Sequence, residues 1–400
     1  MEHVTTQHFH PESVGPLYSI GDIGAGLAFA EVADELAAAI AEPGSAAVVQ
    51  APPGSGKTTL VPPIVANARA NHSKVIVTQP RRVAARTAAR RLAELAARSH
   101  PELADTVAFT VRGESTLTDR TRIEFVTPGV LLRRLIRDPE LSGVGAVVID
   151  EVHERALDTD LALSLLVDVC GLREDITLLA LSATLDAPRF ASFLGADGGE
   201  PAPVIDSPTA LFPIEVRQKP FPHPRLTERG VSRDFLTHVG QVAVNALREG
   251  GDLADSDVLV FAPGAWEVEQ IAHAARLDLE RTSPETVEVY ELHGRIPSRE
   301  QDAIVRGRGP KQPRRIIVST DLAESSLTVP GVRIVVDTGL SREVRRDAAR
   351  NMSGLVTVTT PRSGMTQREG RAGRLGPGLA IRCFDDTVFA GAREHSSPEV

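Results

Sequence analysis

A chain of 400 residues, 42 % hydrophobic and 24 % charged, has material for two or three soluble domains with sizeable cores. Its net charge of −9 gives no overall basic character that would advertise nucleic acid, although a local groove can be basic within an acidic whole. No apolar run reaches the length of a membrane span, the N-terminus lacks a charged-then-apolar signal, and Cys170 and Cys383 form neither a metal spacing nor a disulfide framework, so a cytoplasmic protein without a membrane partner is expected.

Residues 1–20 read as a poorly ordered lead-in, with His3, His8 and His10 part of a solvated tail rather than a metal set. Gly21, Gly24 and Gly26 follow no strand and miss the spacing of a dinucleotide fingerprint. Apolar residues at helical spacing predict a helix over 27–41. From Ala46 onward, apolar strands (46–49, 74–78, 107–111, 123–127, 146–149, 176–181) alternate with helices (59–70, 83–98 and 128–137, the last with Pro at its first position). A Pro- and Gly-rich stretch over 198–224 reads as a domain junction. A second series follows, with strands over 258–261, 287–292, 316–320, 332–337 and 379–384 and a helix over 265–279. A β-hairpin is expected over 342–360, with 351–354 as a turn and 355–359 as a strand. Such alternation implies an α/β fold of two tandem domains, each a mostly parallel sheet with helices on both faces and its site at the carboxyl ends of the strands. The expected division is 21–203 and 204–390, with 391–400 as a tail or the start of a further domain.

The segment Ala51-Pro-Pro-Gly-Ser-Gly-Lys-Thr58 lies between a strand and a helix, the layout of a phosphate-binding P-loop, with Ala51 in place of the usual first glycine. An ordinary strand-to-helix turn has the same outline. In the P-loop reading Gly54, Ser55, Gly56, Lys57, Thr58 and Thr59 cradle a nucleotide: the glycines let backbone N–H groups converge on an anion, the helix N-terminus adds positive potential, Lys57 reaches the β- and γ-phosphates, and the Thr58 hydroxyl ligates Mg²⁺. Asp150-Glu-Val-His-Glu-Arg155 ends the strand over 146–149. Asp150 is placed to hold the metal and Glu151 to orient and deprotonate an attacking water, although an acidic helix start would also put carboxylates there.

The run Asp150 to Arg155 resembles the DExH signature of superfamily 2 helicases, in the DEAH-box branch. Thr78-Gln-Pro-Arg-Arg82, Thr127-Pro-Gly129, Ser182-Ala-Thr184, Phe261-Ala-Pro-Gly264, Leu292-His-Gly294, Ser319 to Thr328 and Gln367-Arg-Glu-Gly-Arg-Ala-Gly-Arg374 resemble the family's remaining motifs, in order, over residues 23–385. Ala51 to Lys57, Val111-Arg-Gly-Glu-Ser115 and Gly373-Arg-Leu-Gly-Pro-Gly378 are similar to the bacterial HrpB-type members. One departure is Asp321, where DEAH relatives usually carry Asn; a DEAD-box Q motif is absent, as in DEAH proteins generally.

The resemblance implies two RecA-like domains with Mg·ATP between them. Glu151, Gln367, Arg371 and Arg374 would be catalytic, the two arginines stabilising charge at the γ-phosphate from the second domain. Thr58, Asp150 and Glu151 would form the metal site, and Arg91 would stack on the base. Ser182, Thr184 and His153 would couple hydrolysis to domain movement; Ser182 and Thr184 also suit a simple helix N-cap. Arg81, Arg82, Arg112 and Thr127, with Gly264, His293 and Thr320 from the second domain, would hold single-stranded RNA, or DNA, by its backbone. The implied activity is that of a monomeric ATP-dependent RNA helicase core moving 3′ to 5′. A nucleotide-dependent binding module without processive unwinding, or a DNA-directed helicase, is the alternative.

Overall fold

Runs of Val, Ile, Leu and Ala whose every side chain is buried suit only strands covered on both faces, and two such sheets organise the chain. The computed structural model describes residues 16–394 apart from 70–72, 184–186, 196–198, 208–211, 229, 250, 283–286, 310, 325–328 and 348–351. The first sheet contains β1 (Ala46–Gln50), β2 (Lys74–Thr78), β3 (Val107–Val111), β4 (Glu114–Ser115), β5 (Ile123–Val126), β6 (Val144–Ile149), β7 (Thr177–Ser182) and β8 (Val204–Asp206). Their order is β4-β3-β5-β2-β6-β7-β1-β8, parallel except at the β3–β4 edge. The helices are α1 (Ile20–Ile23), α2 (Ala33–Ala39), α3 (Lys57–Ala68), α4 (Arg82–Ser99), α5 (Pro128–Arg137), α6 (Leu157–Leu172) and α7 (Ala187–Leu194). Alternation along β1 sorts them: Ala47 and Val49 pack into the cluster built on α2, α3 and α4, whereas Val48 joins the cluster of α5, α6 and α7.

The second sheet draws on β9 (Ile214–Gln218), then, after the small antiparallel pair β10 (Leu226–Thr227) and β11 (Gly230–Val231), on β12 (Asp257–Phe261), β13 (Val287–Leu292), β14 (Arg314–Ser319) and β15 (Val332–Asp337). Strands β16 (Leu340–Asp347) and β17 (Met352–Thr359) form a separate antiparallel hairpin, and β18 (Gly378–Arg382) returns to the sheet. The order β13-β14-β12-β15-β18-β9 is parallel throughout. Its helices are α8 (Arg233–Ala246), α9 (Ala265–Thr282), α10 (Ser298–Arg306), α11 (Arg362–Gly370) and α12 (Asp386–Gly391). The two units meet through apolar as well as polar groups: Val83 of α4 is buried in the second unit's cluster with Phe261, Leu292 and Ile304.

Four local expectations are corrected. The helix over 27–41 is split into a 3-10 turn, Ala28–Val32, and α2, because the Phe29 N–H donates to the Ser55 carbonyl at 2.9 Å and the buried Phe29 ring ties this turn to the core. Tyr18, inside the expected loose lead-in, is fully buried, its hydroxyl 2.7 Å from Thr106 Oγ1. Val204–Asp206, placed beyond the expected boundary at 203/204, pairs with β1 as an edge strand of the first sheet. Gly354, read as part of a turn, sits in β17 opposite Arg345.

Candidate nucleotide site between the two domains

The P-loop leaves the end of β1 and enters α3 through Gly54 (φ 90°) and Gly56 (φ 99°), left-handed conformations that glycine adopts without strain. Gly56 is also closely covered: a Cβ there would lie 2.9 Å from Cβ and Cδ1 of Leu27. Lys57, first residue of α3, is 3 % exposed, with Nζ 3.5 Å from Glu151 Oε1. Its buried ammonium faces the carboxyl edge of the sheet, where β6 delivers Asp150 and Glu151 two strands away from β1.

Asp150 accepts hydrogen bonds from Thr58 Oγ1 at 2.7 Å, Gln79 Nε2 at 2.6 Å and the Glu151 N–H at 2.9 Å. Burial, then the neighbouring Glu151 charge, pushes its carboxyl up to about 6, against the pull of Lys57, Thr58 and Gln79. Glu151 behaves oppositely. Burial opposes its ionisation, but Lys57, His153 and Arg371 together hold its pKa below the usual range. Glu151 has φ 56°, a left-handed backbone uncommon for a side-chain-bearing residue, and its buried Oε2 has no hydrogen-bond partner among the described residues. An ionised carboxylate with an unsatisfied oxygen beside a buried lysine suits a water-orienting base.

The second domain reaches the same place. Gln367 Nε2 lies 2.9 Å from His153 Nε2, while His153 Nδ1 accepts from the Ala183 N–H at 3.2 Å. With Nδ1 accepting, the neutral ring carries its proton on Nε2, which stands 3.5 Å from Glu151 Oε2 and can hydrogen-bond Gln367 only when that amide turns its oxygen toward the ring. The Arg374 side chain lies over Gly54, with Nε 3.3 Å from where a Cβ would be. Arg371 donates from Nε to the Glu324 carbonyl at 2.7 Å, and its Nη2 meets the same oxygen. Burial lowers the Arg371 pKa to about 10 despite Glu151 and Glu324, and lowers that of Arg374 further with help from Arg371 itself. Two neighbouring guanidiniums whose charge the site disfavours, Arg371 buried and Arg374 half-buried, create a field that a polyanion would relieve.

A cavity of about 570 Å³ lies between these groups, a size suited to a nucleotide. Lys57, Glu151 and Arg374 line it together with Arg91 of α4 and Val305 and Arg306 of α10; Thr58 and Thr59 also face it. The set fits a triphosphate and a hard divalent cation: left-handed glycines, a buried lysine, a hydroxyl and two carboxylates on one side, guanidiniums on the other. The structure thus brings together Gly54 to Thr59, Asp150, Glu151, His153, Gln367 and Arg374, with Arg91 on the cavity wall. Ser182 is fully buried, its carbonyl accepting from the Ala51 N–H at 3.0 Å; Thr184 lies outside the described residues.

The candidate nucleic-acid residues are not gathered in the same way. Arg82 and Arg112 are exposed, and Thr127 and Thr320 half-buried. Arg81 pairs with Glu154 at 2.9 Å; burial opposes its charge, but Glu154, Asp321 and Glu324 outweigh it and raise its pKa. Gly264 is covered by the Arg342 guanidinium, which chelates both Glu267 oxygens at 3.1 Å, and His293 is 6 % exposed.

Sequence reasoning passed over Arg368, Gln79 and Leu27. Arg368 is fully buried, bonded to Asp321 at 2.5 Å, Glu324 at 2.8 Å and Asp337 at 2.9 Å, with its guanidinium 5.2 Å from the Phe261 ring centroid. It ties the loop after β14 and the end of β15 to α11, the helix that presents Gln367 and Arg371. Its position one residue after Gln367 was a signal. Gln79 offered another, since it follows β2, the strand paired with β6.

A P-loop completed by arginines from a second parallel-sheet domain defines a nucleotide-binding protein of RecA-like α/β architecture. The DEAD/DEAH box helicase pattern matches residues 32–191, and that of the helicase conserved C-terminal domain matches residues 243–376. The chain belongs to the DEAD/DEAH box helicase family and is HrpB-like. It is 38 % identical over 358 residues to the ATP-dependent RNA helicase HrpB of Escherichia coli K12, covering 88 % of this chain and 41 % of that protein. It is 32 % identical over 355 residues to a probable ATP-dependent RNA helicase DHX35 homolog of Caenorhabditis elegans, covering 87 % of this chain and 46 % of the relative. The crystal structure of E. coli DEAH/RHA helicase HrpB superposes with a TM-score of 0.79 at 36 % identity, over 94 % of this chain and 45 % of that one. The chain spans less than half the length of these relatives.

Proposed function

We propose that this chain is the motor core of an RNA-stimulated ATPase. The observation that carries the reading is the convergence of Gln367 on His153 at 2.9 Å and of Arg374 on Gly54, around a cavity that also holds Lys57 and Glu151. Lys57 and the P-loop amides hold the β- and γ-phosphates. Thr58 and Asp150 would hold Mg²⁺, which would supply neutralisation of the phosphate charge. Glu151 aligns a water and takes its proton as the water oxygen bonds to the γ-phosphorus and ADP departs. Arg374, with Arg371 once released from the Glu324 carbonyl, stabilises the charge spread over the transferring group. His153 and Gln367 report the state of Glu151 to the second domain, and the Asp150 loop lies beside Ser182. Arg91 packs along the base.

RNA, the substrate class in the relatives' names, would run over Arg82, Arg112, Thr127 and Thr320, held by its backbone without sequence readout. The steady-state rate of ATP hydrolysis with and without single-stranded RNA, for wild type and Glu151→Gln, tests the proposal. RNA is expected to raise wild-type turnover and to leave the variant inactive; equal rates for the two proteins would overturn it. A matched DNA strand in the same assay decides between the nucleic acids, since only the 2′-hydroxyl distinguishes their backbones.

A further inference from the structure

Helix α4 belongs to the first domain and lines the nucleotide cavity with Thr87, Ala88 and Arg91. Arg86, the residue before Thr87, does not line the cavity and is buried at 2 % exposure. Its Nη2 donates to Gln301 Oε1 at 3.2 Å in the second domain, while Nη1 pairs with Glu114 at 3.3 Å. Gln301 is buried at 3 % exposure and makes two further bonds, its Nε2 donating to the His293 carbonyl at 3.1 Å and the Ile296 carbonyl at 3.2 Å. Both arms of the amide are therefore engaged, the oxygen across the domain boundary and the nitrogen within the loop that follows β13. Gln301 also lies one turn before Val305, which lines the cavity. Arg90 and Asp302 pair beside this contact, giving α4 and α10 a second cross-domain link.

We propose that Gln301 is a positioning residue: pinned by Arg86, it holds the 293–296 loop of the second domain in register with the nucleotide-cavity helix of the first. The proposal rests on the RNA-stimulated ATPase reading for its functional consequence, because the loop begins at His293 in the motif matched to nucleic-acid contact. Its physical basis is a continuous hydrogen-bonded path from α4 to the loop backbone that exists only while the domains are closed. The path also separates chemically. Gln301→Glu keeps an acceptor for Arg86 but removes both donors to the loop carbonyls, whereas Arg86→Gln leaves the loop bonds intact and shortens the cross-domain arm.

The test measures hydrogen exchange over 293–297 and the ratio of RNA-stimulated to basal ATP turnover in wild type, Gln301→Glu and Arg86→Gln, with thermal midpoints as the folding control. Both variants are expected to exchange faster over 293–297, including Arg86→Gln, whose substitution lies in the other domain. Their stimulation ratio should fall about 5- to 20-fold, with basal turnover within about twofold of wild type. Unchanged exchange over 293–297 in Arg86→Gln would overturn the pin, as would an intact stimulation ratio in Gln301→Glu. A wild type that RNA does not stimulate would sink the ATPase reading alone, since the exchange measurement still decides whether Arg86 positions the loop.

Discussion

Replacing Gly56 by alanine strikes the P-loop in two separable ways. The left-handed backbone at φ 99° disfavours any residue with a Cβ by roughly 1–2 kcal/mol. The new methyl would also stand 2.9 Å from Leu27 Cβ, an atom so near its own backbone that side-chain rotation cannot move it aside, adding roughly 1–3 kcal/mol of overpacking. The reduced freedom of the unfolded chain returns about 0.5 kcal/mol, so Gly56→Ala is expected to destabilise the first domain by about 2–4 kcal/mol. Leu27→Gly removes the whole partly buried side chain, Cβ included, at a cost of about 3 kcal/mol, and vacates the space the methyl needs. The double variant should therefore be less destabilised than the sum of the singles by about 1–3 kcal/mol, the residual being the backbone strain. Urea unfolding of the four proteins, followed by far-UV circular dichroism, gives this cycle directly. Additivity within about 0.5 kcal/mol would refute the claim that Leu27 braces the loop through Gly56.

Arg368→Met leaves Asp321, Glu324 and Asp337 around an uncharged side chain, and a loss of about 3–5 kcal/mol in chemical denaturation of the second domain is expected; a loss below about 1 kcal/mol would remove Arg368 as its electrostatic hub. Burial pushes Glu324 up to about 7, so its ionisation is disfavoured in the folded chain and the stability it confers while protonated is lost as pH rises from about 4.5 through 7. Glu324→Gln should accordingly gain on wild type by up to about 3 kcal/mol between pH 4.5 and 7.5, and a flat difference across that range would contradict the assignment. Burial raises the Cys170 thiol to about 11 and the fully buried Cys383 thiol further, so neither should react with iodoacetamide at pH 7.5 until the chain is denatured; prompt labelling of the native protein counts against the packing around them.

What could be read in advance followed from local chemistry. The P-loop announces itself because its glycines, lysine and hydroxyl are contiguous, and the strands over 74–78, 107–111, 287–292 and 332–337 because β-branched and apolar residues dominate them, even where Glu288, Glu291 and Arg333 interrupt. Asp150 and Glu151 were visible as carboxylates at a strand end. Tertiary partners were not visible. Nothing along the chain marks Phe29 as a donor to Ser55, so the 27–41 helix was drawn straight through a turn that the P-loop holds. Nor does Gly264 reveal Arg342 above it, a residue far away in sequence but on the hairpin that folds back over it. Motif letters also cannot separate Arg371, bonded to a backbone carbonyl, from Arg374, lying on the P-loop, or disclose that Arg81 is held by Glu154.

The central claim is that one nucleotide is gripped from both domains at once, and Arg374 tests it most directly because it crosses that boundary to lie against Gly54. Single-turnover ATP hydrolysis by Arg374→Ala at saturating nucleotide is expected to be slower than wild type by about 10³- to 10⁵-fold, while the dissociation constant for ATP shifts by less than about tenfold. A rate within about tenfold of wild type would show that the second domain's arginine does not act on the phosphates held by the first.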